Sequence, residues 1–227
     1  MNLYLRKRVA PTTLATAGVL ICAVPALGQR SVALVEDVRG STADVEFMDY
    51  VSVGKVIRLG PSQSVVLGYL TSCWREIITG GTVIVGHAQS EVQGGSVTRT
   101  KVTCDGGNLA LTREQANQSA GTSFRTIREE PPLTLYGLSP VIDATGGAAL
   151  LIVRTDRGGE YHVTTLPVRQ GTQRSFLDLA RVRTMLTAGG IYRASIGSRQ
   201  ITFEIDPRAK PRGVPIISRL LRFPETD

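Results

Sequence analysis

The stretch G-K-V-I-R-L-G-P-S-Q-S-V-V-L-G-Y, residues 54–69, carries the class of fold. Valine, isoleucine, leucine and tyrosine dominate residues 55–59 and 64–70, each about the length of a strand, and the glycine between them breaks the run. The same texture extends in both directions, with candidate strands at 32–38, 44–48, 73–79, 82–86 and 97–104. Gly80-Gly81, Gly94-Gly95 and Gly106-Gly107 punctuate the later runs and predict turns, because glycine alone reaches positive φ without a steric penalty. The expectation is an antiparallel meander over residues 32–104, within a domain of residues 29–120.

Beyond it, T-R-E-Q at 112–115 has the form of a capping box and predicts a short helix to about residue 120. Residues 121–132 end in Pro131-Pro132, which neither continue a helix nor donate to a sheet, so they read as a linker. A second block follows, with strands at 148–155, 161–167, 192–196 and 200–205. Residues 175–186 fit both strand alternation and a helical stripe, and are taken as a strand passing into a helical turn. Residues 208–227 read as a basic tail. In it Ile216, Ile217, Leu220 and Leu221 would share one side of a short docked helix.

The N-terminus bears Arg6, Lys7 and Arg8 and then no charge from residue 9 to residue 28, the layout of a secretory signal peptide with a small-residue site at Ala26-Leu27-Gly28. A stable membrane span wants about 20 apolar residues. This run contains three Thr and two Pro, which favours cleavage over retention as an anchor. Loss of residues 1–28 lowers the formal charge from +7 to +4. The excess that remains lies in residues 151–227, where thirteen Lys or Arg face seven acids and twelve of the thirteen are Arg. Arg208, Lys210, Arg212, Arg219 and Arg222 form a possible patch for an anionic partner, since the guanidinium fork suits carboxylates and phosphates. Export and the lack of nucleic-acid-binding motifs argue against nucleic acid. The expected partner is an envelope protein or an anionic envelope polymer or lipid, with the chain periplasmic or secreted.

After cleavage only Cys73 and Cys104 remain, an even count in an exported chain, and a disulfide is expected. Such a bridge stabilises by about 3 to 4 kcal/mol on the chain-entropy model. The rival reading makes Cys73 a nucleophile, but the residues after it look like strand and no histidine follows His162 to act as its base. Ser52-Val53-Gly54-Lys55 matches the S-x-x-K of penicillin-recognising enzymes, without the K-T-G and S-D-N elements that complete such a site. An envelope hydrolase or transferase on Cys73 or Ser52 is therefore the alternative function, and an assembly subunit pairing through sheet edges is another. Two lone histidines, His87 and His162, make no metal site, and no cofactor motif occurs.

Two resemblances bear on the fold. V-R-G-S at 38–41 with residues 54–69 resembles the periplasmic FecR-type domain, over about residues 32–104. That likeness implies a non-catalytic envelope sensor or interaction module. L-T-A-G-G-I-Y at 186–192 resembles the tyrosine corner of fibronectin type III and immunoglobulin-like sandwiches, with Ala188 where proline is usual. It implies that Leu186 fills the core, Gly189 allows the turn and the Tyr192 hydroxyl bonds nearby backbone. The resulting expectation is an all-β chain of two small β-rich domains, a FecR-like meander at 29–120 and an Ig-like β-sandwich at 133–207. Its expected function is a non-catalytic binding, scaffold or sensor module of the bacterial cell envelope.

Overall fold

The computed structural model describes residues 30–42, 44–109, 133–145, 149–158, 161–166 and 174–223. The expected signal peptide, the helix after Thr112 and the linker 121–132 lie outside the described residues. The described chain is all-β, and none of its helices is long and apolar enough to cross a membrane.

The first lobe is one antiparallel sheet of β1 (Ser31–Arg39), β2 (Tyr50–Ser52), β3 (Val56–Tyr69), β4 (Trp74–Ile84), β5 (Glu91–Gln93) and β6 (Ser96–Lys101), in the order β2-β1-β3-β4-β5 with β6 also on β4. Residues 56–69 are one strand rather than two. β3 crosses Gly60 and Pro61 without a turn, and its register on β4 shifts between Leu59 and Ser64. The glycine pairs likewise do not end strands. Gly80 and Gly81 sit inside β4 at φ of +65° and +78°, and Gly94-Gly95 lie against them where the chain passes from β5 to β6 along the same edge.

These features together bend the sheet across β3, β4 and the β5–β6 junction, and the fold closes over its own apolar face. Ile57, Leu59 and Val83 from one side of the bend share a core with Val65, Leu67 and Ile78 from the other. Gln63 lines the bend, accepting from the Gly60 N–H at 2.7 Å and donating to the Ser41 carbonyl at 2.5 Å. A flat sheet would leave that face in water; bending it buries both halves at about 25 cal/mol per Å² of apolar surface.

After a one-turn helix α1 (Gly106–Leu109), the second lobe stacks two sheets. Five strands, β7 (Leu133–Gly137), β9 (Ala149–Arg154), β10 (Tyr161–Thr165), β12 (Ile191–Ile196) and β13 (Arg199–Lys210), run in the order β10-β9-β12-β13-β7. Facing them are β8 (Val141–Thr145), β11 (Arg174–Asp178) and β14 (Leu220–Arg222), ordered β11-β8-β14. β7 on β13 and β14 on β8 are parallel pairs. Leu135, Ile142, Leu150, Ile152, Tyr192, Phe203 and Leu221 fill the space between the sheets, a sandwich-like packing.

The Tyr192 hydroxyl accepts from the Thr187 N–H at 2.8 Å and lies 3.3 Å from the Thr187 carbonyl, to which it donates. Leu186 is buried and Gly189 has a φ of +70°. Tyr192→Phe leaves the buried ring, stacked 5.6 Å from Phe203, but strands the Thr187 N–H. It is expected to lower unfolding free energy by about 1 to 2 kcal/mol in a denaturant titration.

Residues 175–186 form β11 and then successive turns, the strand passing into a turn that the sequence suggests, and they leave Val182 and Met185 exposed. One expectation needs correction: residues 208–223 are not a tail. β13 continues to Lys210, and a 3-10 turn (Ile216–Ser218) leads into β14. A helix would have put Leu220 and Leu221 on one side, whereas strand alternation sends Leu221 into the sandwich core and Leu220 into a separate cluster between the lobes.

That third cluster joins Leu34, Met48, Leu70 and Leu109 of the first lobe to Val141, Ile217 and Leu220 of the second. Gly68, near the end of the quoted stretch, makes the approach possible, since a Cβ there would lie 2.5 Å from the Ile217 side chain. Its neighbour is Glu36, beside a register shift in β1. One Glu36 oxygen accepts from the Ile217 N–H at 2.8 Å and the other from Arg75 Nε at 2.7 Å.

Candidate functional site

Cys73 precedes β4 at a φ of +53°, its carbonyl accepting from the Val102 N–H at 2.9 Å. This turn brings it beside the end of the segment after β6, and Cys73 is bonded to Cys104 with a Cα–Cα distance of 5.7 Å. The bridge ties the β3–β4 connection to the chain entering α1. Cys73→Ser, Cys104→Ser and the double variant are each expected to lower the melting point by a similar amount, because one constraint is lost in all three. On the chain-entropy model that constraint is worth about 3 to 4 kcal/mol. A double variant clearly worse than either single one in a thermal melt would refute the single-constraint account.

Among the described residues, the buried carboxylates have partners that hold the architecture. Glu76 accepts from the Ser90 N–H at 3.1 Å and from Arg99 Nε at 2.7 Å, while Arg99 also reaches the Ser90 carbonyl at 2.6 Å. Tyr69 meets the Ser90 hydroxyl at 2.8 Å, and burial pushes its own hydroxyl up to about 12. These bonds fasten the loop before β5 onto β4. Asp143 accepts from the Tyr50 hydroxyl at 2.7 Å across the seam between the lobes. At the far end of that seam Asp178 takes both arms of the Arg219 guanidinium, at 2.6 and 2.9 Å. Burial alone would raise the Asp178 carboxyl, but the Arg219 fork and the Ala180 N–H outweigh it and hold it below the ordinary carboxylate range.

The five cations of the expected patch therefore divide. Arg219 is a structural residue, donating to the Val214 and Ser139 carbonyls as well as to Asp178. Arg222 lies over the Tyr50 ring, 4.4 Å from its centroid. Arg208 and Lys210 are exposed along the end of β13, and Arg212 is exposed in the bend just beyond it. Two further cations belong with them, Arg181 and Arg183, exposed in the turns after β11. The sequence signal for these was the absence of any acid between residues 179 and 203, masked by the ambiguous periodicity there.

Ser52 ends β2, and Lys55 follows it across a turn in which Gly54 has a φ of +82°. The S-x-x-K stretch is thus a turn between β2 and β3, the two strands that flank β1, and not the start of a helix. It borders an open groove of about 440 Å³ that also contains Asp44, Asp49 and Tyr50. A smaller, mostly apolar cavity of about 180 Å³ opens at the seam between Phe47, Met48, Phe176 and Ile216, with Arg181 at its wall and over the Phe47 ring. His87 and His162 stand in different lobes, and no group of three metal-type ligands occurs among the described residues. Among the described residues β6 pairs only with β4, and it carries Lys101, the kind of charged residue that guards a sheet edge. Comparison with known protein families, curated proteins and solved structures returns no match to this chain.

Proposed function

We propose that the protein is an exported, non-catalytic binding module of the cell envelope that takes an anionic partner at one end of its second lobe. The observation that carries this reading is the separation of charge. Glu36, Glu76, Asp143 and Asp178 are each engaged in holding the fold, whereas Arg208, Lys210 and Arg212 are exposed together. The disulfide supports an oxidising compartment, and with it the export expected from residues 1–28. The same bond occupies the Cys73 sulfur that a thiol enzyme would need free. Lobes joined by a shared apolar cluster suit a scaffold that presents a fixed surface.

The test uses the soluble polyanion dextran sulfate. Binding to the mature protein is expected to weaken steeply with salt, as the Debye length falls from about 30 Å at 0.01 M to about 8 Å at 0.15 M. Replacing Arg208, Lys210 and Arg212 with Glu should abolish it. Reversing Lys55 and Arg58, exposed cations of the first lobe, should leave it unchanged. Binding that survives the triple reversal, or is lost with the first-lobe pair, would move the site elsewhere. Arg219 is unsuitable for this purpose, because breaking its pair with Asp178 would cost about 3 to 5 kcal/mol of stability.

A further inference from the structure

The turns after β11 expose two large apolar side chains within four residues, Val182 at 48% and Met185 at 56%, the most exposed large hydrophobics among the described residues. Arg181 and Arg183 flank Val182, so this tip is apolar and cationic at once. It lies at the same end of the lobe as the β13 cations. Leu138 and Ser139 connect them: the Leu138 N–H donates to the Lys210 carbonyl at 3.1 Å, the Leu138 carbonyl accepts from the Leu186 N–H at 2.7 Å, and the Ser139 hydroxyl donates to the Thr184 carbonyl at 2.8 Å. Arg219 closes the other side, linking Ser139, Val214 and Asp178. Asp178 is thereby neutralised. Asp206 accepts from the Arg208 N–H at 2.7 Å and lies 4.0 Å from its guanidinium Nε.

We infer that this end of the second lobe is a docking surface for an anionic lipid bilayer, with Val182 and Met185 entering the interface and Arg181, Arg183, Lys210 and Arg212 meeting the headgroup phosphates. The inference deepens the anionic-partner reading and rests on it. A soluble polyanion would be held by the cations alone and gives no role to two apolar side chains kept in water. A bilayer surface rewards both, since interfacial binding grows with buried apolar area and with attraction to anionic headgroups. The long stems of Arg181 and Arg183 can lie along the acyl boundary while their heads stay at phosphate level.

The mature protein is mixed with phosphatidylcholine vesicles with and without phosphatidylglycerol, and bound protein is measured by sedimentation. Wild type should bind only the phosphatidylglycerol vesicles. Val182→Asp with Met185→Asp should weaken that binding more than tenfold. Arg181→Gln with Arg183→Asn should weaken it about fivefold for each cation removed. Asn suits position 183, where φ is +57°. Val182→Ser with Met185→Ser, a neutral pair at the same exposed sites, should reproduce the loss with an unchanged thermal melt and unchanged dextran sulfate binding. If the Asp pair binds vesicles as wild type does, the bilayer inference fails while the anionic reading stands. If wild type ignores both vesicles and dextran sulfate, both fail together.

Discussion

Truncation after Gly213 is expected to leave a chain that does not fold, rather than one that has lost a tail. The segment removed holds Ile217, Leu220, Leu221 and Phe223, each at most 2% exposed. Losing a buried Leu or Ile to alanine costs about 2 to 5 kcal/mol at one site. Four such losses match or exceed the roughly 5 to 15 kcal/mol by which domains are stable. The polar losses act in the same direction. Asp178 keeps its charge without Arg219, the Val141 N–H loses the Arg219 carbonyl at 2.8 Å, and Glu36 loses the Ile217 N–H. Because the segment touches both lobes, the two should fail together. Circular dichroism of the truncated protein should show no cooperative melt. A truncated chain that melts near the wild-type temperature would mean that the seam contributes little.

Gly95→Ala is expected to destabilise by more than about 4 kcal/mol, whereas Gly94→Ala next to it should cost about 1 to 2 kcal/mol. A Cβ at Gly95 would overlap the Gly80 carbonyl, whose carbon lies 2.8 Å away, and both sides of that clash are backbone. Nothing there can rotate aside. Gly94 has a φ of +66° and open space around it, so alanine meets only the left-handed strain. At about 2 to 4 °C per kcal/mol for a chain of this size, the two variants should differ by several degrees or more in melting point. Equal melting points would show that the bend in the first sheet yields easily. The comparison isolates tertiary contact from backbone propensity, because the two glycines are adjacent in one sequence.

What the sequence by itself determined is what depends on near neighbours. Alternating Val, Ile and Leu dictate strands, because a strand sends successive side chains to opposite faces and one face must leave water. Hence the all-β class was legible. The pair Cys73 and Cys104 needed only parity and compartment to suggest a bridge, and Tyr192 reaches backbone five residues away, within its own turn. Tertiary structure alone decided the rest. A glycine pair reads as a turn until another backbone is known to cross it, and only the contact between Gly80-Gly81 and Gly94-Gly95 made it a bend inside paired strands. Residues 215–223 have the same apolar pattern whether they dock as a helix or split between two cores, and the existence of those cores on opposite sides selected the strand. Charge was the least legible of all. Arg208 and Arg219 are the same residue type in one run of sequence, yet Asp178 lies 41 positions from Arg219, and that distant carboxylate separates a partly buried strut from an exposed cation. Periodicity encodes how much of a segment seeks burial, while the fold supplies the surface or the counter-charge that receives it.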